Sequence, residues 1–298
     1  MKSICIVEFP SNLGLTMLQP GREPGVKYLP DWLREHDFHQ HIHPESTMRL
    51  DPPEYSGVKD PESGIWNADA IAAYAFQQAN VLTNLLDDDK FPIAIGGDCS
   101  IVIGPAIALK QRGNYALFYL DGHTDFMDIS LSASGGAAGM AASIVAGRGH
   151  EKLADILNLS PYIKEEHIWC VGNREYDDAY EDEIRNSKAT YKSLDRLREK
   201  GIEQVVNSFL DAIQTRQLDG FWLHIDVDVL NDDIMPCVDS RTPDGLTYPE
   251  FNEVLYHLLQ SELLTGMDIT ILDPELDRKG KYTEAFVMNI ATVVKRAL

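Results

Sequence analysis

The sequence predicts an α/β protein, with a mostly parallel central sheet covered by helices on both faces in three α/β/α layers. Three observations predict it. Short apolar runs of strand length, of the kind that form buried strands, recur along the chain. Stretches with helical periodicity separate them. Apolar residues make up 44% of 298 positions, enough for a large core.

The expected strands are Ile4 to Phe9, Pro92 to Ile95, Ala116 to Leu120, His167 to Val171, Phe221 to Ile225 and Met267 to Leu272. Helices are expected from an Asn67 cap to Leu86, from Ser100 to Gln111, from Ala137 to Ala146, from Ile202 to Arg216, from Pro249 to Leu263 and from Tyr282 to Arg296. Strands alternating with helices require crossover connections, hence parallel pairing. The Pro-, Gly- and His-rich stretch from Ser11 to Gly64 reads as an irregular or edge region on the same core. No linker, repeat or low-complexity tract divides the chain, so residues 1–298 are expected to form one domain.

Charge narrows the function. The chain carries 47 acidic and 26 basic residues, a formal charge of −21. Such a field repels nucleic acid and anionic membranes and is compatible with cationic ligands and metal ions. No run approaches the roughly 18 to 20 apolar residues of a membrane helix. The opening MKSICIVEFPSN is too short and alternating for a signal peptide. The four cysteines lie far apart without CxxC spacing, so free thiols and a cytoplasmic location are expected.

In open parallel sheets, functional groups gather beyond the carboxyl ends of the strands. Three strand ends carry chemistry: Gly96-Gly-Asp-Cys-Ser100, Asp121-Gly-His-Thr-Asp125 and His224-Ile-Asp-Val-Asp228. Asp121, His123 and Asp125 are spaced to share one face of an extended segment, as are Asp226 and Asp228. Four buried acids converging with one imidazole would repel one another unless a cation compensates them. Carboxylates with imidazole suit Mn²⁺, with Zn²⁺ or Fe²⁺ as alternatives, as one ion or two. The loop Asp128 to Gly136, rich in small residues, would shape a pocket. It has no phosphate-loop spacing, and Ser132 and Ser134 lack a GxSxG context. His39, His41 and His43 alternate as on an exposed edge strand, without an accompanying carboxylate.

These motifs resemble those of the arginase/agmatinase/formiminoglutamase superfamily of ureohydrolases. Asp121-Gly-His-Thr-Asp125 is similar to DAHxD. Asp226-Val-Asp228, followed by Asp232 and Pro236, is similar to SxDxDxxDP, and Gly96-Gly-Asp-Cys-Ser100 to GGDHS. The loop Pro236 to Leu246 stands in the place of PxTGTPxxGGL. The resemblance implies a two-metal site. Asp121 and Asp226 would bridge, Asp125 and the Cys99 position would complete one metal, and His123 and Asp228 the other. It also implies hydrolysis of a linear C–N bond of a small molecule (guanidino, formimino or amide) by a metal-activated hydroxide, and a homo-oligomer. Asp125 and Asp228 are the candidate proton carriers, His224 the candidate ligand-orienting group, and Asp239 and Arg241 the candidate substrate clamp on the rim. Glu275 and Asp277 either reach the rim or cap the following turn.

Three positions depart from the family pattern. Cys99 replaces the GGDHS histidine, either as a thiolate ligand or as a small buried hydrophobe. Ala138 stands where arginases carry a proton-shuttling histidine. Ile271 stands where the guanidinium-binding glutamate is expected. The two lost polar groups argue against ordinary arginase or agmatinase turnover. They admit a second reading, an arginase-fold protein that binds metal or ligand without ureohydrolase activity.

Overall fold

The computed structural model describes residues 2–17, 19, 21–174 and 177–298. Eight strands form one sheet: β1 (Ser3–Phe9), β2 (Ser46–Arg49), β3 (Lys90–Gly96), β4 (Tyr115–Leu120), β5 (Ile168–Asn173), β6 (Thr190–Ser193), β7 (Gly220–Asp226) and β8 (Leu264–Thr270). Their order is β2-β1-β3-β8-β7-β4-β5-β6, and every pairing is parallel. Helices pack on the sheet in the three-layer α/β/α arrangement. Ala68–Asp87 packs against Ile103–Arg112, and Tyr248–Leu259 against both Ile202–Thr215 and Lys281–Ala297. No helix among the described residues is long and apolar enough to cross a membrane.

All six expected strands are present, shifted at their ends by up to three residues. The two unexpected ones, β2 and β6, are the sheet edges. Their sequences, STMR and TYKS, are exposed or half-buried, so burial demands no apolar run. The stretch from Ser11 to Gly64 is correspondingly more ordered than expected, with β2 and helices Leu29–Glu35 and Phe38–Ile42. Of the histidine row, His39 and His41 lie on the second of these helices and His43 caps its end, rather than alternating on a strand. His39 Nε2 stands 3.0 Å from the buried Glu8 carboxylate of β1, which Arg34 and Arg49 also meet.

Local caps explain other differences. Asn67 precedes its helix with a left-handed φ of 55° and makes no side-chain cap. Its amide instead ties loops together, accepting from the Ser56 and Gly57 amides and donating to the Leu13 carbonyl. The helix expected from Ser100 begins as a 3-10 turn, Cys99–Val102, capped by the Asp98 side chain. A capping box between Thr247 and Glu250 starts Tyr248–Leu259. That helix ends four residues earlier than expected, because the chain must turn into β8.

Candidate metal centre

The last two strands in sequence, β7 and β8, insert between β3 and β4. The carboxyl ends of four adjacent strands therefore converge. Asp121 directly follows β4. Asp226 ends β7, and Asp228 sits on the 3-10 turn after it. Cys99 is held by the turn after β3, where Asp98 accepts from Ser11 Oγ, Gly14 N and Ser100 N. Asn173, at the end of β5, donates to the carbonyls of Asp121 and His123 and pins their loop.

The donor atoms are close. Cys99 Sγ donates to Asp226 Oδ2 at 2.9 Å. The Asp228 amide donates to Asp226 Oδ1 at 2.7 Å, and the Gly122 amide to Asp228 Oδ1 at 3.0 Å. His123 Nδ1 stands 2.8 Å from Asp228 Oδ2 and 3.8 Å from Asp121 Oδ1. Two sets of ligand atoms, Cys99/Asp121/His224 and Asp121/His123/Asp228, each fall within 4.8 Å of one another. Asp121 Oδ2 and His224 Nε2 are buried without a hydrogen-bond partner.

Electrostatics match that geometry. Burial, reinforced by Asp125, Asp226 and Asp228, pushes the Asp121 carboxyl well above the usual range. Burial and Asp228 do the same to Asp226. Burial raises Asp125 to about 6, against the hydrogen bond from Tyr119. Burial also drives the Cys99 thiol up. Asp228 alone moves down, to about 2, because His123 and Arg174 outweigh its burial penalty. Three carboxyls are thus pushed toward protonation by burial and by one another, the conflict that a divalent cation relieves. With two orphaned donor atoms and a carboxylate, imidazole and thiol set, the residues fit such an ion.

The remaining expected residues divide. Asp125 lines the cavity, but not as part of an extended face. Its φ is 46°, and the chain after β4 is a loop, so the i, i+2, i+4 alternation does not apply. One Asp125 oxygen accepts from Tyr119 at 2.6 Å. His224 is fully buried on β7, its Nδ1 2.5 Å from Asp268 Oδ1. Asp239 lies exposed on the cavity rim. Arg241 does not line the cavity. Its guanidinium is engaged by both oxygens of Asp232 at 2.7 Å, and this loop salt bridge turns it away from the expected clamp position. Glu275 lines the rim and pairs with Arg22, whereas Asp277 is buried and caps Lys281–Ala297 through Tyr282 and Thr283. Ala138 is buried, and Ile271 lines the cavity with φ 77°, a strained conformation for a β-branched residue. Ser134 and Gly136 of the small-residue loop do line the cavity, whose volume is about 700 Å³.

Sequence reasoning missed Arg174 and Asp268. Arg174, buried just beyond β5, donates to the carbonyls of Asp228, Thr242 and Pro243. It follows a strand end, so the rule that found Asp121 applied to it as well. Asp268 interrupts an apolar strand and accepts from both Trp222 Nε1 and His224. An acid inside such a run was its signal.

Fold and site together define a three-layer α/β/α protein whose strand ends gather ligands suited to divalent cations. A model of the arginase family matches residues 2–295, and the chain belongs to that family. An arginase of Staphylococcus aureus (strain MRSA252) is 27% identical, over 98% of this chain and 96% of its own length. The solved structure of an arginase from Bacillus caldovelox superimposes with a TM-score of 0.88 at 24% identity, covering 99% of this chain and 98% of that one. A formimidoylglutamase from Bacillus subtilis gives 0.72 at 22% identity, covering 99% and 87%. At these identities the superpositions speak for the fold.

Proposed function

We propose that the protein is a metal-dependent hydrolase of a linear C–N bond in a small molecule of guanidino, formimino or amide type. The observation that carries this reading is the convergence of Asp121, His123, Asp226 and Asp228, of which the last three line the cavity, with two orphaned donor atoms, on Asp121 and His224, buried in the same cluster. Membership of the arginase family supports it. Asp121 and Asp226 would be shared by two divalent ions, Cys99 and Asp125 would serve the first, and His123 and Asp228 the second. Mn²⁺ suits the carboxylates, while the thiol favours Zn²⁺ or Fe²⁺. When bound, such ions lower the pKa of water to about 7 in the best cases, supplying a nucleophile at neutral pH. Asp125 and Asp228 line the cavity, and of the two Asp125, raised to about 6, would be the better carrier of the proton that the leaving amine needs, since Asp228 is held down at about 2. On the rim, Glu275 pairs with Arg22 and Glu23 with Lys27, which leaves Asp239 and Asp273 as the acids that would favour a substrate with a cationic end.

Ile271 and Ala138 favour a formimino or amide substrate over an ordinary guanidinium one, since no carboxylate stands at position 271 to pair with the guanidinium. A panel of guanidino, formimino and amide compounds, assayed for amine, ammonia or urea release with Mn²⁺, Zn²⁺ or Fe²⁺, tests the reading. Turnover that vanishes in Asp228→Asn supports it. Metal-replete, folded protein inert on the whole panel would favour the non-catalytic binding reading instead.

A further inference from the structure

We propose that His224 binds the first metal directly through Nε2, supplying the imidazole that the turn after β3 lost when cysteine took position 99. The inference rests on the metal-site reading above and names one of its ligands.

The register sets it up. Parallel pairing places Tyr119 of β4, His224 of β7 and Asp268 of β8 in one cross-strand row. Tyr119 stacks on the imidazole, ring centroids 4.1 Å apart and planes 18° from parallel. The Asp268 carboxylate lies 2.5 Å from His224 Nδ1 and also accepts from Trp222 Nε1. Nδ1 therefore carries the ring proton, and Nε2 presents a bare lone pair. A carboxylate on the far nitrogen is the usual support of a metal-binding histidine, fixing both tautomer and ring plane.

Nε2 has no partner although the residue is fully buried. An acceptor left unpaired in that setting bears the full penalty of desolvation, so an unused core histidine would be a poor choice for this position. His224, Cys99 and Asp121 present ligand atoms within 4.8 Å of one another, and Asp121 Oδ2 is also unpaired. The departure at Cys99 and a further one, at His224, then become one exchange. In GGDHS the histidine sits at the position of Cys99, and in SxDxDxxDP a serine sits at the position of His224. The imidazole has moved from the β3 turn to β7, facing the same acid from the neighbouring strand. Because it arrives already held by Asp268 and Tyr119, the first site keeps a nitrogen donor whether or not Cys99 ligates.

The test is metal titration of chelator-stripped protein with Zn²⁺ and Mn²⁺ against a competing chromophoric chelator. Wild type is compared with His224→Asn, which retains an N–H toward Asp268, and with Asp268→Asn. Folding of each variant is checked by circular dichroism. Loss of a direct ligand is expected to weaken one of two equivalents by more than about 100-fold in His224→Asn. Asp268→Asn, acting through the ring, should cost about 10- to 100-fold. The double variant Cys99→His/His224→Ser is expected to recover the lost equivalent. A folded His224→Asn that binds both equivalents with wild-type affinity overturns the inference and leaves the metal-site reading standing. Wild type that binds neither ion overturns both. If His224→Asn does not fold, X-ray absorption of zinc-loaded His123→Ala decides. Imidazole scattering supports the assignment, and oxygen and sulfur scattering alone refutes it.

Discussion

Stripping divalent cations and raising the pH from 5 to 7.5 should destabilise the protein, and returning the metal should abolish the effect. Asp125 illustrates the size. Burial lifts its carboxyl from 3.8 to about 6. At about 1.4 kcal/mol per pH unit, that is about 3 kcal/mol in all. Because the folded pKa lies above the unfolded one, this stability is fully present below pH 3.8 and is lost as pH rises through 6. About half of it falls between pH 5 and 7.5. Unfolding entropy near 2.1 cal/mol/K per residue converts that half into a melting-point drop of about 2 °C for a chain of this length. Asp121 and Asp226 are pushed higher by burial and by neighbouring carboxylates, and add in the same direction. His167, lowered by burial, works in the opposite sense and offsets part. A fall of at least about 2 °C is expected by differential scanning calorimetry of metal-free protein. Saturating Zn²⁺ or Mn²⁺ should remove it, since the cation binds the ionised carboxylates. A melting point that is flat or rising over this window without metal, or a fall that metal leaves in place, would refute the reasoning.

Three substitutions probe other parts of the site. A Cβ at Gly122 would collide with Arg174 Nη1 and meet Asp228 Oδ1 at 2.8 Å and the Asp228 carbonyl at 2.9 Å. Gly122→Ala should therefore cost about 1–3 kcal/mol by denaturant unfolding and displace Asp228, lowering metal affinity. Arg241→Ala removes only an exposed pair with Asp232, so stability should stay within about 0.5 kcal/mol and KM should not change. A rise in KM would place Arg241 on the substrate after all. Ile271→Glu puts a carboxylate in the cavity, and a charge-assisted bond of about 1.5–3 kcal/mol should raise kcat/KM on guanidino compounds about 10- to 100-fold. No gain in a folded, metal-loaded variant would show that position 271 does not contact the guanidinium.

The parts of the fold legible in sequence are those where burial is strongest. β4 and β7 sit inside the sheet with helices on both faces, so their sequences are apolar throughout apart from the residues that do chemistry. β2 and β6 lie at the edges, where solvent permits Ser, Thr, Lys and Arg, and no pattern marks them. The same logic applies to the site. Asp121, Asp226 and Asp228 announced themselves as acids at the ends of apolar runs. The pairing of Asp268 with His224 depends on strand order and register, and that of Tyr119 with Asp125 on the path of the loop after β4, neither of which sequence contains. Arg241 had the right loop and the wrong partner, because a nearby Asp232 captures the guanidinium at close range. The alternation argument failed at both strand ends: Asp125 follows β4 with a left-handed φ, and Asp228 stands on the 3-10 turn after β7, so neither lies on an extended segment.

The most direct test of the metal centre is elemental analysis of protein purified without chelator, beside an Asp121→Ala/Asp226→Ala double variant shown to be folded. The account predicts close to two equivalents of Mn, Zn or Fe in the wild type and none in the variant. Wild type that remains metal-free after incubation with excess Mn²⁺ and Zn²⁺ would contradict it.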